Sequence, residues 1–305
     1  QTAAVEHGQG AHTILRQIAA EELGCRPEEI LVQHTDTDYT PYGWQTSASK
    51  TTFCAGTAGA RAAREVKKQL KEAAVHLVEG DGDEIEVADS KVFPRSAPDR
   101  GVPFGALAMG VIKPDGLYGG PILGRGCYTV SDGTTLDLDT GQGAKPSVFW
   151  MFAAQGADVE VDVETGRVTV TRLTAAHDVG KAINPAGCEG QIEGALIQGL
   201  GSAVSEELVA AEGQLVNGNL GEYKLLTTLD VPGEMIPMVV EEPHPEGPWG
   251  AKGIGEPGMA PTAACIANAV YDALGVQVKS IPILPHKVLA ALRDSGPAPE
   301  GKSGE

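Results

Sequence analysis

Apolar residues at 14, 15, 18, 19 and 23 recur at helical spacing and predict a helix over Ala11–Leu23, with Gly24 as its stop. A longer Ala-rich period (Ala62, Ala63, Val66, Leu70, Ala73, Ala74, Leu77) predicts a helix over Lys50–Val78, closed by Gly80. Ile30–Gln33 reads as a short strand between them, followed by a polar loop over Asp36–Ser49. Ile85–Val87 and Lys91–Phe93 alternate around Asp89-Ser90, the pattern of a hairpin. A cleaner alternation, Asp158–Val163 and Arg167–Leu173 around Glu164-Thr165-Gly166, predicts a second hairpin. Downstream, helices are expected over Gln191–Glu207, Ala260–Leu274 and His286–Leu292, and strands within Asn217–Pro232 and at Lys279–Leu284. Pro94–Ser147 has weak periodicity, and reads as long loops with one short helix near Phe104–Met109.

Helices alternating with hairpins, without a regular βαβ series, indicate an α+β fold. The expected division is a first domain over 1–150 with long substrate or interface loops, a second over 151–294, and a polar, disordered tail over 295–305. The N-terminus, QTAAVEHGQG, starts as if in mid-strand without an initiator Met, so a split or processed chain is expected.

The 305 residues include 42% hydrophobic residues, enough for a substantial core, and 40 glycines, more than average usage. Glycine without a G-X-Y period points to tight turns and close backbone approaches, as around a large ligand. A net charge of −18 argues against a nucleic-acid surface. The densest basic cluster, Arg64, Lys67, Lys68 and Lys71, is interleaved with Glu65 and Glu72 as on a solvated helix face. Five scattered cysteines without a C-x-x-C support neither a zinc site nor an iron–sulfur cluster here. They fit buried thiols in a reducing compartment, the cytoplasm. No apolar stretch is long enough for a transmembrane span.

Four segments carry candidate chemistry. Gly8-Gln9-Gly10 precedes the first helix, Thr46-Ser47-Ala48-Ser49 the second, and GAKGIGEPG (Gly250–Gly258) the helix at Ala260; Gln191 opens a Gly-rich helix. The glycines at 194, 199 and 201 are costly inside a helix unless something packs on that face. Helix N-termini present unsatisfied N–H groups that suit phosphates, and glutamine amides suit a polar heterocycle. Glu256 sits among four glycines, with Pro257 placed for a first helical position. None of the segments matches a Walker A or dinucleotide fingerprint. Local roles are expected for other polar residues. His7 and His12 read as capping or core histidines, His177-Asp178 as a turn pair, Asp36 and Asp38 as loop caps, and Trp44 as a packing anchor.

EHGQGAHT, PYGWQTSAS, HDVGKAINP with QIEGALIQGLG, and KGIGEPG occur in the order and rough spacing of the molybdenum-binding subunit of the xanthine oxidase family, which the chain resembles from Gln1 to about Leu292. That resemblance implies the intertwined molybdenum-cofactor-binding domains of the family, in their C-terminal part. The upstream cofactor segment and the start of the substrate domain would come from the other half of the molybdenum subunit, as in split members such as nicotinate dehydrogenase.

By the same resemblance Glu256 is the general base beside the molybdenum. Gly8, Gln9, Gly10, Thr46, Ser47, Ala48, Ser49, Gln191, Lys252, Gly253, Ile254 and Gly255 would bind a molybdopterin, in its cytosine dinucleotide form. The pterin dithiolene holds the metal in this family, so no protein metal ligand is expected. FAD and [2Fe–2S] would sit on partner subunits. A carboxylate suits the role because burial raises its pKa toward neutrality. The implied reaction is hydroxylation of a heteroaromatic ring (purine or nicotinate-like) or an aldehyde, with water as oxygen source. Alternatives are reductive dehydroxylation of an aromatic thioester, as in hydroxybenzoyl-CoA reductase, or a non-catalytic half that completes a partner's cofactor pocket.

Overall fold

The computed structural model describes residues 1–44, 46–78, 84–113, 115–116, 120–130 and 132–295. The predicted Gly80 stop and nearly all of the predicted tail lie outside the described residues. The chain divides into two units. The first comprises 1–150, 180–184 and 242–253; the second comprises 151–179, 185–241 and the residues from 254 onward.

In the first unit α1 (Ala11–Leu23) packs on α2 (Thr51–Ala74), and a small antiparallel sheet follows: β1 (Ile85–Ala88), β2 (Lys91–Pro94) and β3 (Val102–Pro103), then a short α3 (Phe104–Leu107). Gly24 ends α1 in the left-handed conformation, φ 66°, with its N–H bonded back to the last turn. A Cβ there would also press on the Val87 carbonyl, so glycine is needed twice over. Asp89 and Ser90 both take positive φ, as a tight hairpin turn requires. One core joins Leu70, Ala74 and Val78 to Ile85, Val87, Val92 and Leu107. Phe53, fully buried, stacks on Phe149 at 4.4 Å and meets Tyr128 and His244 edge-on.

The irregular stretch after α3 is lashed to α2. The Gln69 amide bonds both the N–H and the carbonyl of Leu123, and Arg61 Nη1 donates to the Cys127 carbonyl at 2.7 Å. Cβ atoms at Gly124 and Gly126 would collide with the α2 backbone. Residues 30–33, expected as a strand, pair with nothing in a sheet; the chain makes a 3-10 turn at Pro27–Glu29 instead.

The second unit holds a three-stranded sheet. β4 (Ala153–Val161) pairs antiparallel with β5 (Val168–Asp178) across a bulge at Asp158/Val159, and β5 pairs in parallel with β8 (Glu234–Val240). Two small strands, β6 (Ala210–Ala211) and β7 (Gln214–Leu215), and a single helical turn, α5 (Leu220–Tyr223), lie between α4 (Pro185–Val204) and β8. α4 and α6 (Thr262–Leu274) are packed together, and α7 (Pro285–Asp294) follows. Their shared core holds Leu173, Ala175, Ile192, Leu196, Leu200, Ile266, Ile283 and Val288.

Several expectations are corrected here. β8, which carries Pro237, falls beyond the segment expected to hold a strand; it pairs along one side only, where a missing N–H is tolerated. Lys279–Leu284 is irregular: Pro282 cannot donate to a ladder, and Ile283 N–H bonds the Ala203 carbonyl. α4 begins six residues early because Pro185 occupies its first position, so Gln191 lies in its second turn and does not open it. α6 begins at Thr262, so Pro257 precedes the helix by a five-residue turn. His177 and Asp178 end strand β5 and form no turn.

Candidate functional site

In the first unit, the 46–49 segment meets the loop before α1 and the 250–253 part of GAKGIGEPG. Thr46 Oγ1 accepts the Val5 N–H at 2.9 Å and so ties the loop before α1 to the loop before α2. A Cβ on Gly253 would collide with the Ser49 carbonyl oxygen, so the Lys252-Gly253 backbone runs directly against Ser49. Ala48 and Ser49 are consecutive non-glycine residues in the left-handed region, φ 55° and 49°. Such a backbone costs roughly 1–3 kcal/mol per residue, and persists only where its surroundings impose it. Ala251, Lys252 and Gly253 are buried. The Gly250 carbonyl accepts from Lys181 N–H at 3.1 Å and His244 N–H at 3.0 Å, and a Cβ on Gly180 would clash with it. The 180–184 turn thus joins this cluster through backbone contacts with Gly250, and left no periodic signal in the sequence.

Gly8 and Gly10 take φ 105° and 84°, and a Cβ at either would meet nothing within 4 Å. Gln9 is used locally: Oε1 accepts the His7 N–H, and Nε2 donates to the Val5 carbonyl. Glu6, not singled out from sequence, is the organiser of this loop. Its Oε1 accepts from Gly8 and Gly10 N–H at 2.8 and 3.0 Å, and its Oε2 from His12 N–H at 2.9 Å. Partial burial pulls this carboxyl upward, but the His12, Gly10 and Gly8 backbone donors outweigh it and hold it below the ordinary carboxylate range. The amides of Gly8 and Gly10, and that of His12 in the first turn of α1, are thus bonded to a carboxylate five residues ahead of the helix and do not stand free for a phosphate. The only cue was an acid just before Gly-x-Gly.

Gln191, Ile254, Gly255 and Glu256 belong to the second unit. Ile254 packs on its core. Glu256 is exposed, in a turn where its carbonyl accepts the Met259 N–H at 3.2 Å. Among the described residues, none gives it the burial expected of a base. The turn itself is seated firmly: a Cβ on Gly258 would lie 2.5 Å from Ala195 Cβ on α4, one helical turn beyond Gln191 and on the same face. Gly199 faces Thr262 of α6, which accounts for one of the glycines in α4; Gly201 faces the Glu206 side chain, and Gly194 faces open space.

The remaining residues play local parts. His12 Nε2 meets the Ala4 carbonyl at 3.2 Å, and Asp36 caps its own loop by accepting the Asp38 N–H. Trp44, expected as a packing anchor, is 70% exposed with Lys50 Nζ over its ring at 5.7 Å. Cys127 is exposed, against the expectation of buried thiols. The other four cysteines are partly buried, and all five are free. Among the described residues no group of three or more His, Cys, Asp or Glu could hold a metal ion, and no helix is long and apolar enough to cross a membrane.

An α+β chain whose distant Gly-, hydroxyl- and amide-bearing loops gather has the character of a binding domain for a large polar cofactor. The chain belongs to the molybdopterin cofactor-binding domain family, whose model matches residues 1–232. It is 30% identical over 292 residues to the 6-hydroxypseudooxynicotine dehydrogenase complex subunit gamma of Paenarthrobacter nicotinovorans, covering 93% of this chain and 34% of that protein. It is 31% identical to the aldehyde oxidoreductase of Megalodesulfovibrio gigas, covering 96% of this chain and 29% of that protein. The solved quinoline 2-oxidoreductase from Pseudomonas putida 86 superposes with a TM-score of 0.79 at 30% identity, over 97% of this chain and 36% of that one. The resemblance to the xanthine oxidase family therefore holds, and the chain spans about a third of the length of the relatives it matches.

The residues present fit a molybdopterin. Left-handed glycines at 8 and 10 leave open space beside the backbone, the Thr46 hydroxyl is tied to Val5 in the same loop, and Ser49 lies against the close-packed backbone at Gly253.

Proposed function

We infer that this chain supplies part of a molybdenum hydroxylase acting on a heteroaromatic or aldehyde substrate, with water as the oxygen source. The observation that carries this reading is the convergence of the 5–10, 46–49 and 250–253 segments, through the Val5–Thr46 hydrogen bond and the Gly253–Ser49 contact. When bound, the molybdenum cofactor supplies a two-electron oxidant. The chain's own part is to hold it and to move a proton. Gly8 and Gly10 leave the pterin open space beside a backbone that Glu6 holds in shape, and Gln9 keeps the second proton of its amide nitrogen for it. Thr46 keeps its own hydroxyl proton for donation while accepting from Val5. Ser47, Ala48, Ser49, Lys252, Gly253, Ile254 and Gly255 line the approach, and Gln191 adds an amide. Glu256 takes up a proton at its carboxylate. The cytosine dinucleotide form is the expected cofactor.

The other half of the molybdenum subunit is the natural source of the cover that Glu256 lacks here. FAD and [2Fe–2S] subunits carry the electrons away. The name of quinoline 2-oxidoreductase, with its heteroaromatic substrate, and that of aldehyde oxidoreductase support the two substrate classes. Elemental analysis of the purified complex tests the reading. Molybdenum near one atom per chain is expected, and its absence from active complex would end it.

A further inference from the structure

Beneath the turn that carries Glu256 lies a polar floor with no role in the reading above. The Gly258 carbonyl accepts two side-chain hydrogen bonds: from Gln155 Nε2 on β4 at 2.6 Å, and from Thr262 Oγ1 at the start of α6 at 3.1 Å. Thr262 is fully buried. A carbonyl can only accept, so the nitrogen end of the Gln155 amide must face it. That orientation leaves Gln155 Oε1 buried and without a hydrogen-bond partner.

His177, 1% exposed, also abuts Gly258, and its Nε2 is buried and unpartnered as well. The strand register explains the meeting. Gln155 stands opposite Ala175 and His177 opposite Ala153, so the two side chains are diagonal neighbours on one face of the β4–β5 pair. Two orphaned buried polar atoms so close to one glycine are costly in a structural core, and such groups gather where function retains them. The backbone on the other side is equally constrained. Gly258 sits against Ala195 and Gly199 against Thr262, so α4 prevents the turn from settling elsewhere.

We propose that Gln155 and Thr262 are positioning residues, acting on the glycine against which His177 packs. They clamp the Gly258 carbonyl and thereby fix the turn that aims Glu256, two residues earlier. This rests on the reading of Glu256 as the base. The clamp acts through backbone, so its loss loosens the turn without removing the carboxylate or any cofactor contact.

The test uses the full chain in its assembled complex and two readouts: hydrogen exchange across residues 255–260, where Met259 N–H donates to the Glu256 carbonyl, and steady-state kinetics. Gln155→Leu and Thr262→Val remove one donor each. Both are expected to speed exchange and to lower kcat by about tenfold, the effect of one hydrogen bond. KM and molybdenum content should stay unchanged. Thr262→Ser keeps the hydroxyl and should restore both readouts. Gln155→Glu, which keeps the shape and loses the donor, replaces Gln155→Leu if the leucine variant does not assemble. Unchanged exchange in the Gln155 variant, or a Thr262→Ser variant as impaired as Thr262→Val, overturns the clamp. Wild-type turnover in Glu256→Gln would instead overturn the base while leaving the exchange result to report on the clamp.

Discussion

At the scale of single residues, two carboxylates divide the work and their environments explain how. Glu6 is spent on structure: three backbone N–H groups converge on it, acting as a remote cap for α1. Glu6→Ala should destabilise the chain by about 1 kcal/mol, the usual cost of a lost cap, read as a lower thermal midpoint. The pH dependence follows from its depressed pKa. The stabilisation is complete above the unfolded-state value of about 4.3 and is lost as pH falls through the lower folded value. Protection of the Gly8, Gly10 and His12 amides should therefore fade in acid, and in Glu6→Gln that acid dependence should vanish.

Glu256 has the opposite character, being exposed and among glycines. Glu256→Gln should retain molybdenum and lose at least about 100-fold in kcat, the typical scale of general-base catalysis. Turnover within a few-fold of wild type would remove it from the role. The nearby glycines are equally legible at this scale. Gly253→Ala drives a Cβ into the Ser49 carbonyl, which is rigid backbone. Molybdenum retention after gel filtration should fall, whereas a Cβ at Gly194 meets nothing and Gly194→Ala should behave as wild type.

At the scale of elements, the helix pair α4–α6 shows why glycine was placed inside a helix. Gly199 allows Thr262 to approach until a Cβ would stand 2.5 Å from it. Gly199→Ala gains helix propensity of about 1 kcal/mol but forces the two helices apart, and overpacking of this kind costs roughly 1–3 kcal/mol. The net change should be a lower thermal midpoint; a rise would show that the pair can separate freely. The helices with local punctuation, α1 with Gly24 and α7 with Pro285, stood where periodicity put them, within two residues. Those that were misplaced, α4 and α6, start at or just after a proline that periodicity does not single out: α4 at Pro185, and α6 after Pro261, four residues beyond Pro257. The hairpins were legible because alternation and turn chemistry lie within one short window. β8 was not, because its partner is 62 residues away and parallel pairing leaves no turn to announce it.

At the scale of the whole molecule, the chain is a third of its relatives' length and carries large apolar side chains in solvent, among them Leu138, Trp150 and Phe152. Isolated chain should hold no molybdenum and turn over no substrate. Complex purified with its partners should contain molybdenum, iron and flavin in fixed ratio by elemental and absorbance analysis. An active, molybdenum-loaded single chain by light scattering would contradict the need for another half.

The amino-acid order by itself determined the amphipathic helices, the two hairpins and the acidic character, and it singled out the four candidate segments. Each of those is written in residues close enough to feel one another along the backbone. Tertiary structure alone decided that Ser49 lies against Gly253, that Glu6 consumes the N–H groups before α1, that β8 completes the sheet, and that Gln155 reaches Gly258 across 103 positions. Such contacts depend on chain closure over long loops, and on glycines and carbonyls whose meaning exists only once a second segment arrives beside them.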